Sequence, residues 1–228
     1  MSMRRYLYMH GFASGPLSKK GVAMERHLAG RGLALSRLDV RVPSLERLRL
    51  SAIIDTARRA IGALDDRAVV FGSSLGGLAA AHLAARDTRV EAVVLLAPGF
   101  RVAANFRRRL GEEAMRRWQE EGWLETHDYA TGTTSRVDWG FLADALAVDG
   151  QAHEDRAAER AEFPDVRAPC LVIHGRGDET CPVEVSRQFA EGRPNVRLVE
   201  VDDGHELLES LPVIFAETDR FLAEHGLG

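Results

Sequence analysis

The stretch 68–82 constrains this chain most. Apolar Val69, Val70 and Phe71 run into Gly72-Ser73-Ser74-Leu75-Gly76-Gly77, and an alanine-rich segment follows. The first part predicts a short strand buried in a sheet and the last a helix over 75–85, with room only for a tight glycine turn between them. That turn contains Gly-x-Ser-x-Gly centred on Ser74. Between a strand and a helix the pattern reads as a nucleophile elbow, a sharp turn that carries the serine hydroxyl to the carboxyl edge of the sheet. Gly72 and Gly76 admit backbone where a Cβ would clash. The helix N-terminus faces Ser74, where its dipole favours developing negative charge.

The rest of the chain repeats this alternation. Strands are expected at 4–9, 34–38, 90–97, 170–174 and 196–201. Helices are expected at 19–31 with Ser18 as cap, after Val42-Pro43-Ser44, at 183–190 and at 212–224. In the region after Ser44, Ile53, Ile54, Ala57, Ile61 and Leu64 are spaced as one apolar face. Short apolar strands alternating with helices argue for an α/β fold: a mainly parallel sheet of about six strands with helices on both faces. The alternation breaks at 100–163, a charge-rich stretch that holds all three tryptophans. Helical periodicity around 106–123 and 139–148, with a solvated run over 151–162, predicts a helical lid inserted over the carboxyl edge of one domain spanning 1–228. Arg107, Arg108, Arg109, Arg116 and Arg117 alternate with Glu112, Glu113, Glu120 and Glu121, as i/i+4 pairs on a solvated helix face do.

Composition narrows the partners. A formal net charge of −4 lacks the basic face that phosphate binding needs, so nucleic acid is not expected. No apolar run reaches the roughly 18–20 residues of a membrane span, and the apolar stretch after Arg5 is too short for a signal-peptide core. A cytoplasmic protein is expected, with Cys170 and Cys181 as free thiols. No histidine or carboxylate spacing suggests a metal, and no cofactor is implied.

In an open parallel sheet, functional groups gather beyond the carboxyl ends of the strands. Four strand ends carry pointed chemistry: His10-Gly11-Phe12, Ser74, Asp178 and His205. A serine hydroxyl needs a base as it attacks. His205, intrinsically near neutrality, suits that task, and Asp178 would hold its tautomer. The backbone N–H groups of Phe12 and Leu75 would form the oxyanion hole. Asp202 and Asp203, beside His205, are rival acids. His10 is read as a brace for the first loop and His82 as packed or capped on the elbow helix. His174 is read as a strand-end residue, and His27, His127, His153 and His225 as surface residues.

Together, His10-Gly11-Phe12, Gly72-x-Ser74-x-Gly76-Gly77, His174-Gly175-x-x-Asp178 and Gly204-His205 resemble the α/β-hydrolase superfamily over nearly the whole chain. The series Gly11-Phe12-x-Ser14-x-Pro16-x-Ser18-x-Lys20 is similar to that of a group of small bacterial esterases. The tryptophan-bearing insertion is similar to acyl-protein thioesterase-like members. The resemblance implies nucleophile, acid and base roles for Ser74, Asp178 and His205, without a cofactor, on a small-molecule ester or thioester. Cys181 departs from the aliphatic residue usual before Pro182. Phe12 stands where lipase-like loops continue with glycine. Cofactor-free perhydrolysis, carbon–carbon bond hydrolysis and non-catalytic ligand binding are the other functions this fold admits. Trp118, Trp123 and Trp139 are the candidate walls of a substrate pocket.

Overall fold

A computed structural model describes residues 3–149 and 163–228. The chain order is β1 (Arg4–Met9), α1 (Lys19–Ala29), β2 (Leu35–Leu38), α2 (Leu50–Ile61), β3 (Arg67–Ser73), α3 (Leu75–Arg86) and β4 (Val90–Leu96). It continues with α4 (Val102–Leu110), α5 (Glu112–Glu121), β5 (Trp123–Asp128), β6 (Thr133–Asp138), α6 (Gly140–Val148), β7 (Cys170–Gly175), α7 (Val183–Ala190), β8 (Val196–Val201) and α8 (Leu211–Glu224). Six strands form one sheet in the order β2-β1-β3-β4-β7-β8, and every pairing in it is parallel.

Side chains alternate across this sheet with period two. Leu7, Met9, Val70, Val93, Leu95 and Val172 face a core completed by α2, α3 and Phe189 of α7. Tyr6, Tyr8, Val69, Phe71, Val94, Leu171 and Ile173 face a second core completed by Met24 and Leu28 of α1 and by Ile214, Phe221 and Leu222 of α8. Strands buried on both faces must read as continuous apolar runs. That is why β3, β4 and β7 stand out in the sequence. The chain leaves β1 outward to β2 and returns on its other side as β3, so the winding reverses between β1 and β3. The carboxyl ends of these two strands open a crevice there, the usual place for a site in such sheets.

Three expectations need correction, and the insertion, helical as expected over α4, α5 and α6, also holds an antiparallel hairpin of β5 and β6. Positive-φ Gly122 ends α5 and lets Trp123 start a strand. The strands themselves, Trp-Leu-Glu-Thr-His-Asp and Thr-Thr-Ser-Arg-Val-Asp, lack the apolar alternation that would have marked them. The segment 42–49 is not helical, and α2 begins only at Leu50. Leu64 lies beyond the end of α2 at Gly62 and is 89% exposed, so it is not on the apolar face. Ser18 sits at the N-cap of α1 but makes no side-chain capping bond. The expected run over 151–162 and His153 lie outside the described residues.

Candidate functional site

The elbow is built by backbone packed on backbone. Ser74 has φ 53°, ψ −118°, outside the comfortable regions for a residue with a Cβ. The turn is held on both sides: Ser74 N donates to Leu96 O at 3.0 Å, while Ser74 O accepts from Gly99 N at 2.9 Å and Leu78 N at 3.1 Å. A methyl on Gly76 would strike the carbonyls of Met9 and His10, so only glycine lets α3 start against the end of β1. The first loop follows from that contact. A Cβ on Gly11 would sit 3.2 Å from Ser74 Cβ.

The acid and the base are brought together by a second close backbone approach. A methyl on Gly175 would strike the carbonyls of Asp203 and Gly204, so the loop after β8 lies flat against the end of β7. Arg176 N donates to Val201 O and Gly177 N to Asp203 O. In this arrangement His205 Nδ1 lies 2.7 Å from Asp178 Oδ2, and His205 Nε2 lies 3.0 Å from Ser74 Oγ. With Nδ1–H donating to the carboxylate, Nε2 is left to accept the serine proton. Ser74, His205 and Asp178, 131 and 27 residues apart along the chain, thus form a Ser-His-Asp triad geometry.

Asp178 is buried and satisfied at both oxygens. Oδ1 accepts from Thr180 N at 2.8 Å and Cys181 N at 2.7 Å, while Oδ2 also lies 3.1 Å from His174 Nε2. Burial alone would raise this carboxyl. The hydrogen bonds from His174 and His205, the charge of His205 and the Cys181 N–H outweigh it and hold Asp178 well below the ordinary carboxylate range. The rival acids have other partners. Asp202 is exposed and pairs with Arg176, whereas Asp203 accepts from the N–H groups of Gly204, Glu209 and Ser210 and so shapes the histidine loop.

The remaining histidines divide clearly. Buried His10 Nε2 accepts from Val40 N and Nδ1 lies 2.9 Å from Gly11 O, which ties the first loop to the end of β2. Burial lowers its pKa, in keeping with that neutral tautomer. His82 pairs with Asp149 at 2.6 Å. His174 is fully buried between Asp178 and Ser186 Oγ, directly behind the acid. That contact is the part of the site a strand-end reading of His174 missed; the four-residue spacing to Asp178 was its only signal.

The two cysteines are free and buried. Burial and then the charge of Asp178 push the Cys181 thiol up to about 12, so this neighbour of Ser74 is not a thiolate. Beyond Phe12 runs a chain of aromatic rings: Phe12 meets Phe106 at 5.4 Å and Phe141 at 5.5 Å, Phe106 meets Trp118 at 5.4 Å, and Trp118 meets Trp139 at 5.3 Å. Trp118 is 1% exposed, with its indole N–H on Val137 O, whereas half-buried Trp123 lies under the Arg136 guanidinium. Among the described residues no group of three or more His, Cys, Asp or Glu could hold a metal ion. No described helix is long and apolar enough to cross a membrane.

A six-stranded parallel sheet with a serine on the elbow after β3, an acid after β7 and a histidine after β8 has the α/β-hydrolase architecture. Solved structures agree on the fold. The mouse alpha/beta hydrolase domain-containing protein 10 is similar at TM-score 0.73 and 18% identity, over 96% of this chain and 89% of that one. Est1E from Butyrivibrio proteoclasticus with bound ferulic acid is similar at TM-score 0.76 and 20% identity, over 100% and 91%. The Paleococcus ferrophilus monoacylglycerol lipase is similar at TM-score 0.67 and 18% identity, over 99% and 97%. Within that class, the chain belongs to the family described as Uncharacterised protein family (UPF0227), whose model matches residues 5–214. No curated protein matches its sequence.

Proposed function

We propose that this protein is a serine hydrolase that cleaves a carboxylic ester or thioester through an acyl-enzyme on Ser74. The observation that carries the proposal is the unbroken line Asp178 Oδ2–His205–Ser74 Oγ, ending on a serine held at φ 53°. As Ser74 Oγ attacks the acyl carbon, His205 Nε2 takes its proton, and Asp178 stabilises the imidazolium without itself being protonated. The carbonyl electrons move onto oxygen, and the N–H groups of Phe12 and Leu75 are the donors proposed to receive that charge. Neither N–H has a backbone acceptor among the described residues, and Gly11 brings the first loop against Ser74. His205 then returns the proton to the departing alcohol or thiol. Water, activated by the same histidine, attacks the acyl-enzyme and restores Ser74.

The similarity to small bacterial esterases and thioesterase-like hydrolases supports an acyl substrate. Phe12, Phe106 and Phe141 supply an apolar wall next to the elbow, with Trp118 and Trp139 as the layer behind it; Trp123, under Arg136, is kept as a third candidate wall. Est1E was solved with ferulic acid, so aromatic acyl groups belong on the substrate panel beside aliphatic ones. We likewise read 100–163 as a cap on the domain's carboxyl edge that selects the acyl group. The experiment is a panel of p-nitrophenyl esters and acyl thioesters of graded acyl chains, run on the native chain and on Ser74→Ala. Turnover of at least one ester or thioester class, lost by roughly 10⁴-fold or more in Ser74→Ala, supports the reading. Retention of more than a tenth of the activity removes Ser74 as nucleophile.

A further inference from the structure

Lys20 belongs to the Ser18-x-Lys20 end of the first-loop motif, yet the triad chemistry makes no use of it. It lies in the first turn of α1 and is only 7% exposed. A lysine that deep in a protein needs compensation for its lost hydration. Its ammonium donates to the backbone carbonyl of His205 at 3.1 Å, the residue whose ring meets Ser74. The groups that act on Lys20 come from two loops: Asp178 and Cys181 after β7, and Asp203 and Glu206 after β8. On the sheet side lies the buried Tyr8 hydroxyl, near the hydroxyls of Ser18 and Ser73 and within the field of Glu206. Burial lowers the Lys20 pKa, and the three carboxylates oppose that lowering.

We propose that Lys20 is a positioning residue for the base. It pins the His205 carbonyl, and so the placement of the ring between Asp178 and Ser74. Its positive charge also opposes premature protonation of the imidazole, which the clustered carboxylates Asp178, Asp203 and Glu206 would otherwise promote. A cation held beside the histidine loop disfavours a second positive charge there. The proposal rests on the triad reading and extends it to a residue that touches neither substrate nor Ser74. It also gives the spacing in Ser18-x-Lys20 a task, because Ser18 starts α1 and Lys20 then projects from its first turn toward the histidine loop.

The test compares Lys20→Met, Lys20→Gln and Lys20→Arg on an ester that the native enzyme turns over, with kcat and KM measured from pH 5 to 9 and melting temperatures in parallel. In Lys20→Met both pin and charge are gone. kcat is expected to fall by about 10- to 100-fold with KM little changed, and the acidic limb of kcat/KM to move up by about half a pH unit or more. Lys20→Gln keeps an N–H donor without the charge, so its limb moves up while its kcat falls less. Lys20→Arg keeps the charge, and its limb stays in place. If the methionine variant does not fold, the glutamine and arginine variants decide the matter between them. A limb unmoved in Lys20→Gln, or failure of both uncharged variants to fold, overturns the proposal in favour of a lysine that only supports the fold. Failure of the triad reading looks different: native protein would then lose little activity on Ser74→Ala, whatever Lys20 does.

Discussion

The elbow and residues 100–149 both meet the loops that follow the strands, but they are held there in different ways. The elbow, the first loop and the histidine loop are positioned by backbone on backbone, at places where Gly76 and Gly175 leave no room for a Cβ. The insertion is fastened by buried apolar side chains such as Phe106, Trp118, Phe141 and Leu142, which join the core formed with α2 and α3, and by polar groups reaching across long gaps in sequence. Arg49 makes a two-pronged pair with Asp138, Ser51 binds Asp144 through both N–H and hydroxyl, and His82 meets Asp149. Arg108 of α4 donates to the carbonyls of Glu179 and Thr180, next to the acid, and Tyr129 N of the hairpin turn donates to Ala13 O of the first loop. Backbone contacts tolerate no substitution, whereas each polar tie is one of several. Changes at the elbow should therefore act as a switch, and changes in the insertion should act by degrees.

The largest effect expected from this contrast, apart from loss of Ser74 itself, is at Asp178. Asp178→Asn should cut kcat by about 10⁴-fold, since the amide permits the wrong imidazole tautomer. Asp202→Asn, on an exposed partner of Arg176, should change kcat by less than about threefold. A crippled Asp202→Asn beside a near-normal Asp178→Asn would move the acid to the other loop. The same variant carries a pH signature. The Asp178 pKa is depressed in the folded protein, so its contribution to stability is complete above the unfolded value near 4. It is lost as pH falls toward the lower folded value. Melting temperature measured against pH should therefore fall less steeply below about pH 4 in Asp178→Asn than in the native chain.

Gly76→Ala comes next. Its methyl must displace β1 carbonyls, so activity should drop by about 10²-fold or more even where the protein stays folded. Wild-type activity in that variant would mean that the elbow is not held as described. In the insertion, Phe106→Ala and Trp118→Ala test the aromatic chain. Loss of an anchor worth about 1–3 kcal/mol should change the kcat/KM ratio of long to short acyl esters by about 10-fold. If both variants only lower the melting temperature and leave the chain-length profile flat, the rings bind the insertion to the core and do not select substrate. The smallest effect should come from Arg49→Met. One of several ties is cut, so the melting temperature should fall by a few degrees with kcat within about twofold. A collapse of activity there would show that a single side-chain tie holds the insertion in place.

The same contrast explains what could be read from the chain alone. Strands β3, β4 and β7 are buried on both faces and must be apolar throughout, so they are legible, and the functional groups follow because they sit just past those strands. The bounds of α7 and β8 also match expectation. The hairpin β5–β6 is different. Nine of its twelve strand residues are polar, and its place depends on Arg49, Ala13 and Arg41, which lie far off in sequence and carry no local signature. The arginine cluster shows the limit well. Arg116 does pair with Glu120 at i/i+4 on the solvated face, while Arg108 leaves that pattern to clasp the loop carrying Asp178. His174 was hidden likewise: its partners Asp178 and Ser186 are brought to it only by the turn after β7.

The central claim is that His205 makes Ser74 a nucleophile that carries the acyl group. Intact-mass spectrometry of the protein quenched in acid during turnover of p-nitrophenyl acetate tests it most directly. The expected result is one added acetyl group, located on the peptide containing Ser74, absent in Ser74→Ala and strongly reduced in His205→Ala. Ester turnover with the acetyl group on another residue, or with undiminished acylation in Ser74→Ala, would contradict it.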